Sequence, residues 1–245
     1  ARGAAAASAA AEADATGGGG AAAGAAGAAA QPPLAVTQAK HVPTPWVKFC
    51  SACGAECEQA VPEGEDRLRA VCTNGECGKV HWQNPRMVVG AIVERDGAVL
   101  LCKRKIEPCA GMWTLPAGYA ELGESAAAGA VRETWEEALC AVRVVAPFAH
   151  FDIPVIGQAY VLFRAEMEAP YTHAAGVETL ETRMVPLGEL EDYDIAFSSI
   201  RVALREYTAD AAAGKYRVHH GVIAKKPGSH PADPDGFLFE DHIAT

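Results

Sequence analysis

Short runs of apolar and β-branched residues, separated by turn residues, occupy the middle of the chain. The runs at 87–94 and 98–102 flank Arg95-Asp96-Gly97, and an Asp-Gly turn between two such runs predicts a β-hairpin. Three later runs also predict strands; they span 148–153, 158–166 and 183–186.

Two segments have the character of helices. Residues 125–140 contain no proline, are rich in Ala, Glu, Arg and Leu, and begin with Ser125, a favourable N-cap. Residues 198–207 place three apolar side chains on one face: Ile200, Leu204 and Tyr207. Strands on both sides of a central helix, followed by a last helix, predict an α/β (α+β) sandwich rather than a regular βαβ array.

Composition changes sharply along the chain of 245 residues. Residues 1–30 contain 18 Ala and 7 Gly, so we expect residues 1–45 to be a disordered leader. This leader fits either a low-complexity linker or the remnant of an organelle transit peptide. The remaining chain divides into a Cys-rich module at 46–83, a main domain at 84–214 and a C-terminal tail at 215–245.

Charge and hydropathy exclude some classes of function. The net charge of −10 argues against binding to nucleic acid, which depends on Lys and Arg side chains that neutralise phosphates. The chain has no run of about 18 apolar residues of the Leu, Ile, Val and Phe type, so we expect no membrane span.

Five of the eight cysteines lie within 28 residues, which indicates metal binding rather than a disulfide scaffold. The spacing Cys50-x2-Cys53, then Cys72-x4-Cys77, resembles a zinc ribbon and predicts a structural Zn²⁺ held by four thiolates. Cys57 and His81 are reserve ligands. The alternative is a set of reduced thiols without metal.

Three carboxylates lie on one face of the first predicted helix. Glu133, Glu136 and Glu137 are spaced i, i+3 and i+4, so their like charges repel unless a cation compensates them. Oxygen ligands grouped in this way suit Mg²⁺ or Mn²⁺. Taken alone, the three glutamates fit an ordinary solvated charged face better than a metal site.

The spacing of residues before and within this helix favours metal binding over a solvated face. Gly118, Glu124, Arg132-Glu133 and Glu136-Glu137 have the spacing G-x5-E-x7-R-E-x2-E-E, which resembles the signature of the Nudix hydrolase superfamily. The resemblance implies a Nudix α/β/α sandwich with a mixed sheet, preceded by the ribbon. One position departs, because Leu139 stands where the signature ends in Gly.

The same resemblance assigns roles. It implies that Glu133, Glu136, Glu137 and the Gly118 carbonyl bind the catalytic metal and that Arg132 holds the carboxylates. It makes Glu124 a structural residue or an outer partner of the metal ligands. The general base is expected among the glutamates of the signature, and Glu181, outside the signature, is a second candidate. The implied reaction is attack of water on a diphosphate.

Two groups of Nudix enzymes resemble this chain in joining a zinc ribbon to the signature. The chain lacks the Ser-Gln-Pro-Trp-Pro-Phe-Pro stretch of NADH pyrophosphatases. It is similar to plant-type chloroplast FAD pyrophosphohydrolases at residues 113–119, 132–138 and 197–200. That similarity implies hydrolysis of FAD to FMN and AMP in plastids, with a homodimer left open.

Spacing alone does not separate FAD from the other diphosphate substrates, which are NADH, ADP-ribose and CoA. A flavin or adenine ring requires an aromatic platform. The candidates near the signature are Trp113, Tyr119, Phe151 and Tyr160, although each of them taken singly fits core packing better. A protein of another class, a catalytically weak Nudix-fold binding or regulatory protein, is the alternative that Leu139 suggests.

Overall fold

The computed structural model describes residues 47–229, 233 and 236–245, so the predicted leader at 1–45 lies outside the described residues. Twelve strands and two α-helices follow one another in chain order. They are β1 (Cys57–Ala60), β2 (Arg69–Cys72), β3 (Val80–His81), β4 (Arg86–Arg95), β5 (Ala98–Arg104), β6 (Trp113–Thr114), β7 (Ala117–Tyr119), α1 (Ala126–Ala138), β8 (Val142–Ile153), β9 (Gln158–Met167), β10 (Thr179–Pro186), α2 (Ser198–Ala213), β11 (His219–Lys225) and β12 (Phe237–Ala244).

The main sheet has nine strands of mixed direction. Its order is β10-β5-β4-β9-β8-β11-β12, with β6 paired to β5 and β7 paired to β4. β4 runs parallel to β9 and β11 runs parallel to β8, whereas the other pairs are antiparallel. A separate antiparallel sheet, β1-β2-β3, forms the Cys-rich module.

The two helices cover opposite faces of the main sheet. Alternate residues of β4 show this, because Ala91 and Val93 pack in the core with Ala130 and Ala138 of α1, whereas Ile92 packs in the core that contains α2. Strand side chains point to opposite faces in turn, so each central strand is buried on both sides. The predicted α/β/α sandwich with a mixed sheet is confirmed.

The elements begin and end close to their predicted positions, with two instructive differences. The hairpin of β4 and β5 forms as predicted. β8 begins at Val142, six residues before the predicted strand, because two register shifts near Pro147 let the strand pass a residue that lacks an N–H. α2 continues past the predicted end at 207 to Ala213 and stops at Gly214, which has φ 65°.

The C-terminal residues add two strands that the sequence analysis did not predict. It assigned 215–245 to a tail, but β11 pairs with β8 and β12 pairs with β11. His219 and Ile223 of β11 are completely buried. This hairpin therefore extends the main sheet. Neither described helix has the length and apolar character of a membrane span.

Candidate active site and cysteine cluster

The approach to α1 is a tight loop that ends in a side-chain cap. Ser125 lies outside the helix with extended backbone, and its hydroxyl accepts a hydrogen bond from the Ala128 N–H at 3.1 Å. Just before it, Gly123 has φ 91°, a conformation that glycine adopts without steric cost. The loop and cap fix where α1 begins and so which residues face β7.

Gly118 on β7 lies directly against the carboxylate of Glu133. A Cβ atom at Gly118 would overlap both carboxylate oxygens of Glu133. Gly118 pairs with Val89 of β4, which holds its backbone in the sheet. Only glycine leaves room for the carboxylate to approach the β7 backbone, and this explains the glycine of the signature in physical terms.

Arg132 joins the acidic residues of the signature into one network. Its Nε and Nη2 donate to the two oxygens of Glu124 at 3.0 and 2.8 Å. Its Nη1 donates to Glu133 at 2.8 Å and to Glu136 at 2.9 Å, and Nη2 also donates to the Tyr119 carbonyl at 3.0 Å. The guanidinium thus spans the loop, β7 and α1.

The electrostatic consequences differ among these carboxylates. The hydrogen bonds from Arg132, followed by that from the Glu121 N–H, lower the pKa of Glu124 to about 2. Burial raises the pKa of Glu133, although Arg132 opposes the shift. Burial also raises the pKa of Glu137, to about 8, while the Ala117 N–H donates to this carboxylate at 3.2 Å. A buried carboxylate with a raised pKa favours a compensating cation.

The predicted metal ligands share one region but do not converge on a point. Among the residues that the structure describes, the oxygens of Glu133, Glu136 and Glu137 are not within 4.8 Å of one another. Glu133 and Glu136 instead form ion pairs with the guanidinium of Arg132. We call the space that Gly118 leaves for the Glu133 carboxylate the glycine cradle. Carboxylates grouped around it are the donors that Mg²⁺ or Mn²⁺ prefers, so the residues fit such an ion.

The end of α1 shows how the chain manages without the last glycine of the signature. Leu139 adopts the left-handed conformation, with φ 46° and ψ 35°, and its N–H donates to the Trp135 carbonyl at 2.9 Å. The Glu137 carbonyl accepts from the Gly176 N–H at 2.9 Å, and the Ala138 carbonyl accepts from the Ala174 N–H at 2.8 Å. A distant loop therefore satisfies the helix C-terminus.

The Cys-rich module brings its four predicted ligands together. The sulfur atoms of Cys50, Cys53, Cys72 and Cys77 all lie within 4.8 Å of one another. The Cys50 and Cys77 sulfurs are 3.8 Å apart, and those of Cys53 and Cys72 are 3.4 Å apart. The reserve ligands Cys57 and His81 do not belong to this cluster.

The pKa values of the thiols in this cluster shift in opposite directions. The Ala52 N–H donates to the Cys50 sulfur at 3.4 Å and contributes most to lowering its pKa to about 6. Burial, with crowding by the other cysteines, raises the pKa of Cys72 to about 12. A divalent ion removes such a conflict, because a coordinating thiol is deprotonated. The zinc ribbon with its four-cysteine cluster thus supports a structural zinc ion.

The four candidate aromatic platforms differ in accessibility. Tyr119 is exposed, and its ring is held by the Arg86 guanidinium 4.7 Å from the ring centroid and by the Gln158 amide, which donates to its hydroxyl at 2.8 Å. Trp113 and Tyr160 are buried, with 8% and 9% of their surface exposed. Phe151 is completely buried in the core under α2, which corrects its assignment as a ligand platform.

Glu181 lies apart from the carboxylates of α1. On β10 it pairs with Lys103 of β5, while the adjacent Cys102 of β5 packs on the α1 side. Glu181 therefore faces the α2 side, where it forms an ion pair with Arg183 and lines a cleft with Trp113. The structure does not bring this candidate base together with the signature residues.

The backbone partners of the site could not be predicted from residue types. The Ala117 N–H on Glu137 and the Tyr119 carbonyl on Arg132 belong to β7, the strand that also supplies Gly118. Main-chain groups leave no residue-type signal. The strand β7 was not among the strands predicted from the sequence.

Comparison with known proteins agrees with this geometry. The family described as NUDIX domain matches residues 84–205, and the family described as Nudix N-terminal, a zinc ribbon, matches residues 48–83. A crystal structure of a NUDIX hydrolase from Nitrosomonas europaea is 40% identical, with a TM-score of 0.66; the match covers 73% of this chain and 99% of that one.

Two curated relatives match over shorter stretches. An ADP-ribose pyrophosphatase from Methanocaldococcus jannaschii is 43% identical over 56 residues, which is 23% of this chain and 33% of that protein. Nudix hydrolase 19, chloroplastic, from Arabidopsis thaliana is 32% identical over 91 residues, which is 37% of this chain and 20% of that protein. The two family matches and the 40% identical structure from Nitrosomonas europaea, together with the Arg132 network and the cysteine cluster, show that the chain belongs to the Nudix hydrolase family.

Proposed function

We propose that the protein hydrolyses the diphosphate of a nucleoside diphosphate derivative, and that its substrate is FAD, cleaved to FMN and AMP. One observation carries the reaction class: Arg132 holds the Glu133 and Glu136 carboxylates of α1, and Glu133 lies against the Gly118 backbone. Water attacks one phosphorus and forms a new P–O bond, while the bond from that phosphorus to the bridging oxygen breaks. The bridging oxygen leaves with the other phosphate, and the attacking water releases a proton to solvent.

Glu133, Glu136, Glu137 and the Gly118 carbonyl would hold Mg²⁺ or Mn²⁺, since Nudix enzymes use divalent metals. When bound, the ion supplies neutralisation of charge on phosphoryl oxygens and a lower pKa for water. Of the four, Glu136 is the most open to solvent, with 56% of its side chain exposed. It therefore faces the side from which a polyanionic substrate arrives.

The other residues of the network position these ligands. Arg132 has a planar fork that engages several carboxylates at once, a task for which Lys is a poor substitute. Glu124 fixes that fork from the loop side, and its carboxylate stays ionised because its pKa is held at about 2. Glu124 and Arg132 are thus positioning residues for the ligands.

The segments that resemble FAD pyrophosphohydrolases are neighbours in the structure. The Trp113 N–H donates to the Asp194 carbonyl and the Ala196 N–H donates to the Trp113 carbonyl, both at 2.8 Å. These bonds bring residues 197–200 beside residues 113–119. Tyr119, one residue after Gly118, offers an exposed and immobilised ring on which a flavin or adenine can stack. This arrangement supports a dinucleotide substrate.

A second candidate substrate is ADP-ribose. The relative from Methanocaldococcus jannaschii is named an ADP-ribose pyrophosphatase, although the match covers a third of that protein. NADH and CoA share the same diphosphate. A regulatory protein without turnover is a weaker alternative, because the carbonyls of Trp135, Glu137 and Ala138 at the end of α1 are hydrogen-bonded despite Leu139.

The place of action is proposed to be the chloroplast. Its support is the chloroplastic relative from Arabidopsis thaliana, together with the Ala-rich leader as a transit-peptide remnant. A homodimer stays an open expectation from the family resemblance.

The test is a panel of FAD, ADP-ribose, NADH and CoA with Mg²⁺ or Mn²⁺, with products resolved by chromatography. We expect FMN and AMP from FAD at the highest kcat/KM. Cleavage of ADP-ribose with none of FAD would keep the reaction class and overturn the substrate. Binding of FAD without turnover of any compound would favour the regulatory alternative.

A variant of the ring platform sharpens this test. Tyr119→Leu should lower kcat/KM for FAD roughly tenfold, which corresponds to ~1.4 kcal/mol, because stacking of a base on an aromatic ring is worth ~1–3 kcal/mol. Phe49→Leu is the matched control, since Phe49 is an exposed aromatic residue in the ribbon. Equal rates for both variants would remove Tyr119 from the substrate site.

A further inference from the structure

A cluster of nitrogen and oxygen donors lies where the C-terminal hairpin meets α2. His219 of β11 and His242 of β12 approach with Nδ1 and Nε2 3.0 Å apart. Glu206 of α2 places Oε2 3.8 Å from the same Nδ1. All three donor atoms lie within 4.8 Å of one another, a convergence that the carboxylates of α1 do not reach.

A buried carboxylate sets the tautomer of His219. Asp210, whose side chain is fully buried, lies 2.9 Å from His219 Nε2. Asp210 also accepts from the Arg217 backbone N–H and from Arg217 Nε, both at 2.8 Å. Because an ionised carboxylate can only accept, the proton of His219 lies on Nε2, and its Nδ1 lone pair points at His242 and Glu206.

This arrangement is typical of a metal-binding histidine. Metal ligands of this type donate the other ring N–H to a carboxylate, which fixes the ring and raises the basicity of the ligating nitrogen. Asp210 has that role for His219, which is itself completely buried. Each ring nitrogen of this buried histidine therefore has a defined partner.

The backbone of β12 is shaped to present His242. Asp241 has φ 49°, and the pairing register of β11 and β12 shifts between His220 and Val222. This bulge lets Phe239 and His242, three residues apart, share one face, with ring centroids 4.6 Å apart. A Cβ at Gly221 would overlap the Phe239 ring, so the strand opposite is also adapted. Bulges commonly re-aim a side chain at a functional site.

The charges leave one oxygen of Glu206 available. Its Oε1 accepts from Arg205 at 2.7 and 2.9 Å, while Oε2 faces His219. Two imidazoles and one carboxylate are a known zinc ligand set with a fourth position open to water. Donor atoms around one tetrahedral zinc are about 3.3 Å apart, close to the observed 3.0 and 3.8 Å.

We propose that Glu206, His219 and His242 form a second zinc site, which ties the C-terminal hairpin to α2. The site is separate from the ribbon and does not rest on the proposed reaction. Without an ion, His242 Nε2–H would donate to His219 Nδ1, and the cluster would be a hydrogen-bonded pair only. The two alternatives differ in the number of zinc ions bound by the chain.

The experiment counts zinc in the full-length chain. The protein is stripped with chelator, dialysed against buffered Zn²⁺, freed of excess metal and measured by elemental analysis. We expect two zinc ions per chain, one for His242→Ala, and two for the control His220→Ala. His220 neighbours His219 but is half exposed and lies 3.5 Å from Asp152 instead. His242 is itself exposed, so its removal should spare the fold.

A double variant separates this site from the ribbon. Cys72→Ser should keep one zinc, and Cys72→Ser combined with His242→Ala should keep none. Added Zn²⁺ should also raise the Tm of the Cys72→Ser protein but not that of the double variant. One zinc in the saturated wild type would overturn the proposal, as would two in His242→Ala or a loss in His220→Ala.

Discussion

The cysteine cluster and the carboxylate face of α1 are both proposed to bind a divalent ion, but they are organised in opposite ways. Four sulfur atoms of the ribbon already lie within 4.8 Å of one another. The carboxylates of Glu133 and Glu136 are instead drawn to Arg132, and Glu137 is held by the Ala117 N–H. The sulfur atoms of the ribbon therefore converge, whereas the carboxylates of α1 are kept apart by their bonds to Arg132 and to the Ala117 N–H.

The difference follows from what each ion must do. A structural zinc requires four protein ligands and no access, and its binding free energy is part of the folding free energy. A catalytic Mg²⁺ or Mn²⁺ keeps positions for water and substrate phosphate, so a fully converged cage would exclude the reaction. Arg132 neutralises part of the acidic face through its hydrogen bonds to Glu133 and Glu136.

The largest expected effect tests the cysteine cluster. Cys72→Ser should abolish zinc binding by the ribbon and unfold the β1-β2-β3 sheet, because the module has only a small cluster of buried residues besides its cysteines. Structural zinc in finger peptides is worth ~10–16 kcal/mol, so no other single change in this chain should cost as much. Zinc analysis and hydrogen exchange resolved by segment measure it.

Cys57→Ser is the matched control, since Cys57 is buried directly opposite Cys72 in the strand pairing but outside the sulfur cluster. It should retain zinc. If Cys57→Ser lost the zinc and Cys72→Ser kept it, the ligand set would have to be reassigned.

The next effect tests the carboxylate face of α1. Glu136→Gln should reduce kcat by on the order of 100-fold or more with no loss of thermal stability, because changes even to outer partners of a metal cost 10- to 100-fold. Glu168→Gln, at an exposed position just after β9, should leave kcat unchanged. Kinetics at saturating Mg²⁺ measure both variants. A near wild-type rate for Glu136→Gln would contradict its role as a ligand.

A smaller loss is expected from filling the glycine cradle. Gly118→Ala adds a methyl group where the Glu133 carboxylate lies, so the ligand must move and kcat should fall by roughly 10-fold to 100-fold. Gly188→Ala is the control, because a Cβ there meets nothing within 4 Å. Full activity of Gly118→Ala would show that the approach of Glu133 to β7 is not needed for catalysis.

The smallest effect concerns the end of α1. Leu139→Gly should raise the free energy of unfolding by about 1 kcal/mol relative to Leu139→Ala, because alanine keeps the steric cost of the left-handed conformation and glycine does not. Activity should stay unchanged or rise. Denaturant titration compares the two variants. A less stable glycine variant would mean that the contacts of Leu139 outweigh its backbone strain.

The sequence predicts the carboxylate face of α1 more directly than it predicts the strands at the edge of the sheet. The spacing of Glu133, Glu136 and Glu137 predicts one helix face whatever the tertiary fold, and the position of Gly118 depends on a local strand. Phe151 was misassigned because strand periodicity indicates which residues share a face but does not show whether a helix covers it. That α2 and β12 cover this face is a property of the tertiary structure.

The C-terminal strands escaped prediction for a related reason. The segment that became β12 carries Glu240, Asp241 and His242 in succession, and its bulge breaks the alternation that identifies a strand. Gly214 is a common stop signal at the end of α2, although the predicted helix ended at 207. Only the pairing of β11 with β8, at a sequence separation of about seventy residues, shows that this segment belongs to the sheet.

The most direct test of the contrast between the two sites is selective removal of the catalytic ion. Zinc-loaded protein is dialysed free of Mg²⁺ and Mn²⁺ and assayed on its best dinucleotide substrate before and after Mn²⁺ is restored, with zinc measured in each sample. We predict that hydrolysis stops and then returns while the zinc content stays constant. Hydrolysis that persists without Mg²⁺ and Mn²⁺, or that follows the zinc content instead, would contradict the account.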